Sequence, residues 1–71
     1  MYTLIDRTTG KPINIGDMVK TFRGEAVFVV ALRPPHKPSS QGHVIVKPMG
    51  KPAAYQREFY AGVINGKYVV S

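Results

Sequence analysis

The sequence predicts an all-β protein: one domain over residues 1–71 that forms a small barrel of five to six short antiparallel strands. Gly, Pro, Asn and Ser recur throughout and divide the chain into short segments. The segments between them are rich in Val, Ile, Tyr and Phe, which suit a pleated sheet. No stretch keeps the apolar spacing of a helix beyond one or two turns. A meander of this length can protect its edges by closing, which favours a barrel over an open sheet.

Six segments are expected to form the strands, and residues that interrupt a sheet separate them. The predicted strands cover residues 2–7, 18–23, 26–32, 43–47, 57–64 and 67–70. A turn over residues 8–12 ends the first strand, and the chain re-enters the sheet at 13–15. In the next turn, we expect Asp17 to accept backbone hydrogen bonds.

The second and third strands differ in their apolar pattern. Val19 alternates with Met18, Lys20 and Phe22, and we expect Phe22 to lie in the core. Residues 26–32 are apolar without a break, which fits a central strand covered on both sides. A buried helix is the competing interpretation, but three valines and a phenylalanine favour a strand.

The longest irregular segment is RPPHKPSSQG, residues 33–42, which predicts a loop because its three prolines cannot sustain a ladder. Strand parity after the loop places His43 and Lys47 on one face, opposite Val44 and Val46.

Two local signals concern the connections near the C-terminus. Residues 53–56 could form a single helical turn. Asn65-Gly66 predicts a two-residue type I′ hairpin that joins the last two strands, because both residues tolerate a positive φ.

Basic residues outnumber acidic residues by ten to four, which gives a formal net charge of +6. No acid occurs between Glu25 and Glu58. That interval carries five cations, Arg33, Lys37, Lys47, Lys51 and Arg57. The pattern favours an acidic partner such as DNA or RNA, and the alternative is that the charge only keeps a small protein soluble.

The composition argues against enzymatic chemistry, a metal and a cofactor. The chain has no cysteine, and its two imidazoles, His36 and His43, have no nearby acids to complete a metal shell or a catalytic triad. Its seven glycines fall singly, without the spacing of a phosphate-binding loop. No apolar run approaches the roughly 20 residues needed to span a bilayer, and no secretory signal is visible, so we expect no membrane partner and a cytoplasmic location.

Aromatic residues beside the cations suggest how a nucleic acid would bind. Exposed rings stack on unpaired bases while neighbouring cations follow the phosphates. Since Phe59 and Tyr60 are adjacent in a strand, they point to opposite faces, and we expect Phe59 inside and Tyr60 outside. The alternative is that a bulge lets both rings pack in the core. The predicted nucleic-acid site comprises Arg33, Lys37, Lys47, Lys51, Arg57, Tyr55 and Tyr60.

Two other classes of function stay open. The proline-rich loop or an exposed strand edge could bind a protein partner. Alternatively, the chain could self-associate or form part of a larger assembly through unpaired strand edges.

Two segments resemble known proteins. Residues 16–32, GDMVKTFRGEAVFVVAL, resemble the opening of KOW and other SH3-like small barrels. Residues 34–46, PPHKPSSQGHVIV, followed by Glu58-Phe59-Tyr60 and Val63, are similar to a group of small proteins of tailed bacteriophages. Where that group usually carries a proline and a serine after the aromatic pair, this chain has Ala61-Gly62. The first resemblance implies an SH3-like barrel. The second implies expression in an infected bacterial cytoplasm, with nucleic acid or a host or phage protein as partner, and it implies no activity and no site residues.

Overall fold

A computed structural model describes residues 1–37, 40–52 and 54–70. Over these residues the chain is all-β, as predicted, with six strands that pair antiparallel. The strands are β1 (Tyr2–Asp6), β2 (Met18–Lys20), β3 (Ala26–Arg33), β4 (His43–Pro48), β5 (Arg57–Tyr60) and β6 (Gly66–Val70). One 3₁₀ helix, Ala61–Ile64, connects β5 to β6. In the part of the chain that is described, no helix has the length and apolar character to cross a membrane.

The strands form two sheets, and the barrel predicted from the sequence is not closed. Four strands pair as a meander in the order β2-β3-β4-β5, while β1 and β6 form a separate two-stranded sheet. The first and last strands therefore pair with each other, from Tyr2 opposite Val70 to Asp6 opposite Gly66. The prediction of an all-β chain with antiparallel strands is confirmed, and its two sheets are not closed into a barrel.

The 3₁₀ helix explains why the sheet breaks after β5. The predicted strand over residues 57–64 ends at Tyr60, because the next turn buries Ala61 and Ile64 in the core. The predicted type I′ hairpin is wrong as well. Asn65 has a φ of 58°, but it caps the helix by donating its N–H to the Gly62 carbonyl. Because β6 leaves this cap in a new direction, it pairs with β1.

The core lies between the two sheets. Alternate residues of β3 and β4 point inward, and Val27, Val29, Val44 and Val46 are only 0–1% exposed. They pack with residues from the smaller sheet and its connections, namely Leu4, Ile13, Ile64 and Tyr68. The sequence predicts that the chain rejoins the sheet over residues 13–15. The structure shows a single β-bridge at Pro12, followed by a hydrogen bond from the Ile13 N–H to the Leu4 carbonyl.

Strand β3 is central, as predicted, but it is covered on one side only. Its pairing with β4 shifts register between Val29 and Ala31, so Val30 forms a bulge. Beyond this bulge, Leu32 lies opposite Val44 and packs against the core, and Arg33 comes opposite His43. The apolar run of β3 therefore has one face that packs in the core and another that is partly open to solvent.

Phe22 is 75% exposed, so its predicted place in the core is wrong. Strand β2 ends at Lys20, and a turn closed by the hydrogen bond from Thr21 N–H to the Glu25 carbonyl takes Phe22 out of the strand alternation. The prediction for Asp17 is confirmed, since its carboxylate accepts the Asn14 N–H at 2.9 Å.

Tyr68 connects the two sheets at the end of β3. Its hydroxyl accepts the Arg33 N–H at 3.0 Å and donates to the His43 carbonyl at 2.7 Å. Burial raises the pKa of Tyr68 above its ordinary value of 10.0, which favours the neutral phenol that donates to the His43 carbonyl. Arg33 and His43 point away from the core, and Tyr68 contacts their backbone from the core side. Tyr68 therefore holds in place the ends of the two strands that carry these side chains.

Candidate nucleic-acid interface

The face of the four-stranded sheet that points away from the core, which we call the outer face, carries the candidate site. Residues directly opposite each other in an antiparallel pair share a face, so the buried valines define which pairs point outward. The outward pairs include Met18 with Phe28, Lys20 with Ala26, Phe28 with Lys47, Ala31 with Ile45, Arg33 with His43, Ile45 with Glu58, and His43 with Tyr60. The central residues of this face are half-buried, whereas the inward valines are closed to solvent.

An aromatic pair that is partly open to solvent lies at one end of the outer face. The rings of His43 and Tyr60 stack with centroids 4.5 Å apart and planes inclined by 29°. Tyr60 is 56% exposed, while Phe59 packs against the core, so the predicted orientations of both residues are confirmed. Phe28 lies on the same face towards its other end, half-buried in the central strand β3. Aromatic surface is therefore present at both ends.

The outer face is basic. Lys20, Arg33 and Lys47 lie on it, each on a different strand. Burial alternates along β4, with the valines buried and His43 and Lys47 partly open to solvent. This confirms the prediction that His43 and Lys47 share the face opposite the valines. Of the four acids in the chain, Glu58 alone lies within strands β2 to β5.

A hollow of about 560 Å³ lies where β3 ends and β4 begins, next to His43 of the stacked pair. Arg33 and His43 line it from the strands, and Lys37 lines it from the loop. Glu58 contributes the acidic part of the wall. The hollow brings Lys37 next to the outer face, which sequence parity could not establish for a loop residue. Pro38 and Ser39 of the same loop lie outside the described residues.

Three of the predicted site residues form a separate cluster. The Lys51 Nζ lies 5.4 Å and the Arg57 Cζ 5.1 Å from the centroid of the Tyr55 ring, and Arg57 also donates to the Tyr55 hydroxyl at 3.3 Å. Arg57 is opposite Val46 and so points to the core side of β5, where it lines a cleft with Phe22. These two cations already interact with the aromatic ring of Tyr55.

The structure thus divides the seven predicted residues into two groups. Arg33, Lys37, Lys47 and Tyr60 lie on or beside the outer face, and Lys51, Tyr55 and Arg57 do not join them. Three outer-face residues that the proposed site uses, Lys20, Phe28 and His43, are absent from the predicted site. The alternation of Met18, Val19 and Lys20 already indicated the position of Lys20, and strand parity already placed His43 on the face of Lys47. The unbroken apolar run concealed the position of Phe28.

The described residues hold no group of three or more His, Cys, Asp or Glu side chains that could bind a metal ion. Comparisons with protein families, with curated proteins and with solved structures gave no match.

Proposed function

We propose that this protein binds single-stranded nucleic acid across the outer face of its four-stranded sheet. The observation that carries the proposal is the exposed His43–Tyr60 stack on a face that also bears Phe28, Lys20, Arg33 and Lys47. Aromatic side chains that present a π-face to solvent give bases a surface to stack on, and nearby cations neutralise the phosphates.

The spacing of the rings suits a strand of several nucleotides. Phe28 and Tyr60 are two strands apart and, measured along β4, four residues apart. With about 4.8 Å between strands and about 3.3 Å per residue, the two rings are roughly 16 Å apart. One base cannot cover both rings, so the strand would cross the sheet diagonally and pass Lys47.

The site favours an unpaired strand over a duplex. In a duplex the faces of the bases are hidden by stacking, so aromatic rings on a flat sheet gain little from it. Among the described residues, no helix or ribbon of the kind that enters a major groove protrudes from the outer face. Stacking contributes about 1–3 kcal/mol per base, which only an unpaired strand can supply here.

Fluorescence anisotropy with labelled 12-nucleotide single strands and the matching duplex tests the proposal. We expect tighter binding of the single strand. With four cations on or beside the face, the plot of log affinity against log salt should have a slope of about −3. Absence of binding at low salt, or a preference for the duplex, would refute the proposal.

Two tyrosines of the chain provide a matched pair of variants. Tyr60→Ala should weaken binding by about 1–3 kcal/mol, because the stack is lost. Tyr55→Ala removes an equally large exposed ring outside the outer face and should leave the affinity within about twofold, since it removes no proposed stacking contact. Equal losses in the two variants would contradict the placement of the site.

We also propose that the fold is related to SH3-like small barrels. In support, the terminal strands pair, a 3₁₀ helix precedes the last strand, and the Phe22 N–H donates to the Val63 carbonyl at 2.9 Å across the remaining gap. Hydrogen exchange measured by NMR tests this contact. Protection of the Phe22 amide would support a nearly closed barrel, and rapid exchange of that amide would count against it.

A further inference from the structure

The hollow at the end of the outer face carries both signs of charge. Arg33 and Lys37 line it together with Glu58. Among the described residues, the Glu58 carboxylate has neither a hydrogen-bond partner nor a salt-bridge partner. On a surface that attracts phosphates, a free carboxylate repels the ligand unless it meets hydrogen-bond donors. The ligand that complements this hollow therefore has an anionic group for Arg33 and Lys37 and, at a separate place, hydrogen-bond donors for Glu58.

Glu58 lies close to the position where a base would stack. It precedes Tyr60 by two residues and lies on the same face of β5, at a distance along the strand of about 6.6 Å. His43, the stacking partner of Tyr60, also lines the hollow. A base on the exposed side of Tyr60 can therefore direct one edge towards the Glu58 carboxylate.

We propose that this end of the outer face reads guanine: the two Glu58 oxygens accept hydrogen bonds from the ring N1–H and the 2-amino group of a guanine stacked on Tyr60, while Arg33 and Lys37 bind its flanking phosphates. This proposal rests on the proposed single-strand binding. A carboxylate is an acceptor with two oxygens, and guanine is the base whose pairing edge offers two adjacent donors.

The other bases complement a carboxylate less well. Adenine and cytosine present one amino group beside a ring acceptor on that edge. Thymine and uracil present a single N–H between two carbonyl oxygens, which repel the second carboxylate oxygen. A site that accepts a bidentate contact rejects a base lacking the matching groups, because its polar atoms are then left unpaired.

The experiment uses oligothymidines of nine nucleotides that carry a single central G, A, C or T. We expect the wild-type protein to bind the G-containing strand about tenfold more tightly than the all-T strand, which is within the range of a bidentate contact. Glu58→Gln should abolish this preference. It should also tighten binding of the all-T strand, because the variant removes a negative charge from the face.

Glu25→Gln is the matched control. Glu25 is another exposed acid, but it lies in the β2–β3 turn and not within a strand of the outer face. This variant changes the net charge by the same amount and should keep the full preference for guanine. Amide NMR spectra of both variants would verify that they are folded, and Glu58→Ala would repeat the test if Glu58→Gln were unfolded.

The outcomes separate the two proposals. Equal binding of all four strands by the wild-type protein, or a guanine preference that survives Glu58→Gln, would overturn base reading while single-strand binding stands. Failure to bind any of the strands at low salt would overturn both. A preference lost in Glu58→Gln and retained in Glu25→Gln would establish Glu58 as the reading group.

Discussion

The two faces of the four-stranded sheet are made from the same strands but have opposite characters. On the inner face, Val44 and Val46 are fully buried and their identity follows from packing. On the outer face of the same strand, His43 and Lys47 alternate with them and remain partly open to solvent. Packing explains the first face and does not explain an exposed aromatic stack with cations on the second. This difference is the basis for our proposal that the outer face binds a ligand.

The largest expected effect concerns the point where the inner face meets the smaller sheet. Gly42 has a φ of +75°, and a Cβ there would lie 2.7 Å from the Tyr68 ring. Gly42→Ala should therefore lower the free energy of unfolding by roughly 3 kcal/mol or more, because backbone strain and overpacking add. Gly24 has a φ of +81° but open space around it. Gly24→Ala should cost only about 1 kcal/mol; equal costs in urea unfolding would show that Tyr68 does not pack against Gly42.

Neighbouring residues of β4 test the contrast between the faces directly. Val46→Ala should lower the free energy of unfolding by about 2 kcal/mol, because two buried methyl groups leave a cavity. Ile45→Ala removes more carbon atoms but from the half-exposed outer face, so it should cost under about 1 kcal/mol. Urea unfolding measures both values. A larger cost for Ile45→Ala would mean that the outer face is packed and unavailable to a ligand.

A third prediction concerns the hydroxyl of Tyr68, which joins the inner core to the strand ends that carry the site. Tyr68→Phe should destabilise the protein by about 1.5 kcal/mol, because the Arg33 N–H and the His43 carbonyl lose their shared partner.

The raised pKa of Tyr68 gives this variant a pH signature. The folded state holds the phenolic proton more tightly than the unfolded chain, whose ordinary tyrosine pKa is 10.0. The stabilisation is therefore complete below pH 10 and is lost as the pH rises through the higher folded-state value. Urea unfolding between about pH 9 and about pH 11 should show a shallower loss of stability for Tyr68→Phe than for the wild type. Identical pH profiles would contradict the buried, hydrogen-bonded phenol.

The smallest expected effect separates site cations from other cations. Lys47→Ala should weaken single-strand binding by about 0.5–1 kcal/mol and make the salt slope shallower by about 0.7, as loss of one phosphate contact requires. Lys67 lies exposed on β6 in the other sheet and is the control. If Lys67→Ala reduced the slope equally, the charge would act through the whole protein and not through the outer face.

The sequence predicts the faces of β4 because the period-two alternation of His43, Val44, Val46 and Lys47 is complete there. The same alternation does not predict the faces of β3. The bulge at Val30 reverses the alternation inside a uniformly apolar run, and no residue of the run indicates this shift of register. Phe28 could not be assigned to the outer face for that reason.

The direction of the chain after β5 also cannot be predicted from the residues of that segment alone. Asn65-Gly66 suits any connection that needs a positive φ, and a helix cap uses the same conformation as a hairpin. The burial of Ile64 decides between them, and that depends on the distant strand β1. Proximity in sequence places Tyr55 and Arg57 beside Tyr60 in the predicted site, although Arg57 points to the other side of β5. Whether basic residues share a face is a property of register, which the charge pattern alone does not contain.

The most direct test is an NMR titration of the isotope-labelled protein with a short single-stranded oligonucleotide at low and at physiological salt. We predict that the amides of His43, Lys47 and Tyr60 shift together, that those of β1 and β6 change little, and that the shifts weaken with salt. Shifts confined to the segment around Tyr55, or no shift at low salt, would contradict a binding site on the outer face.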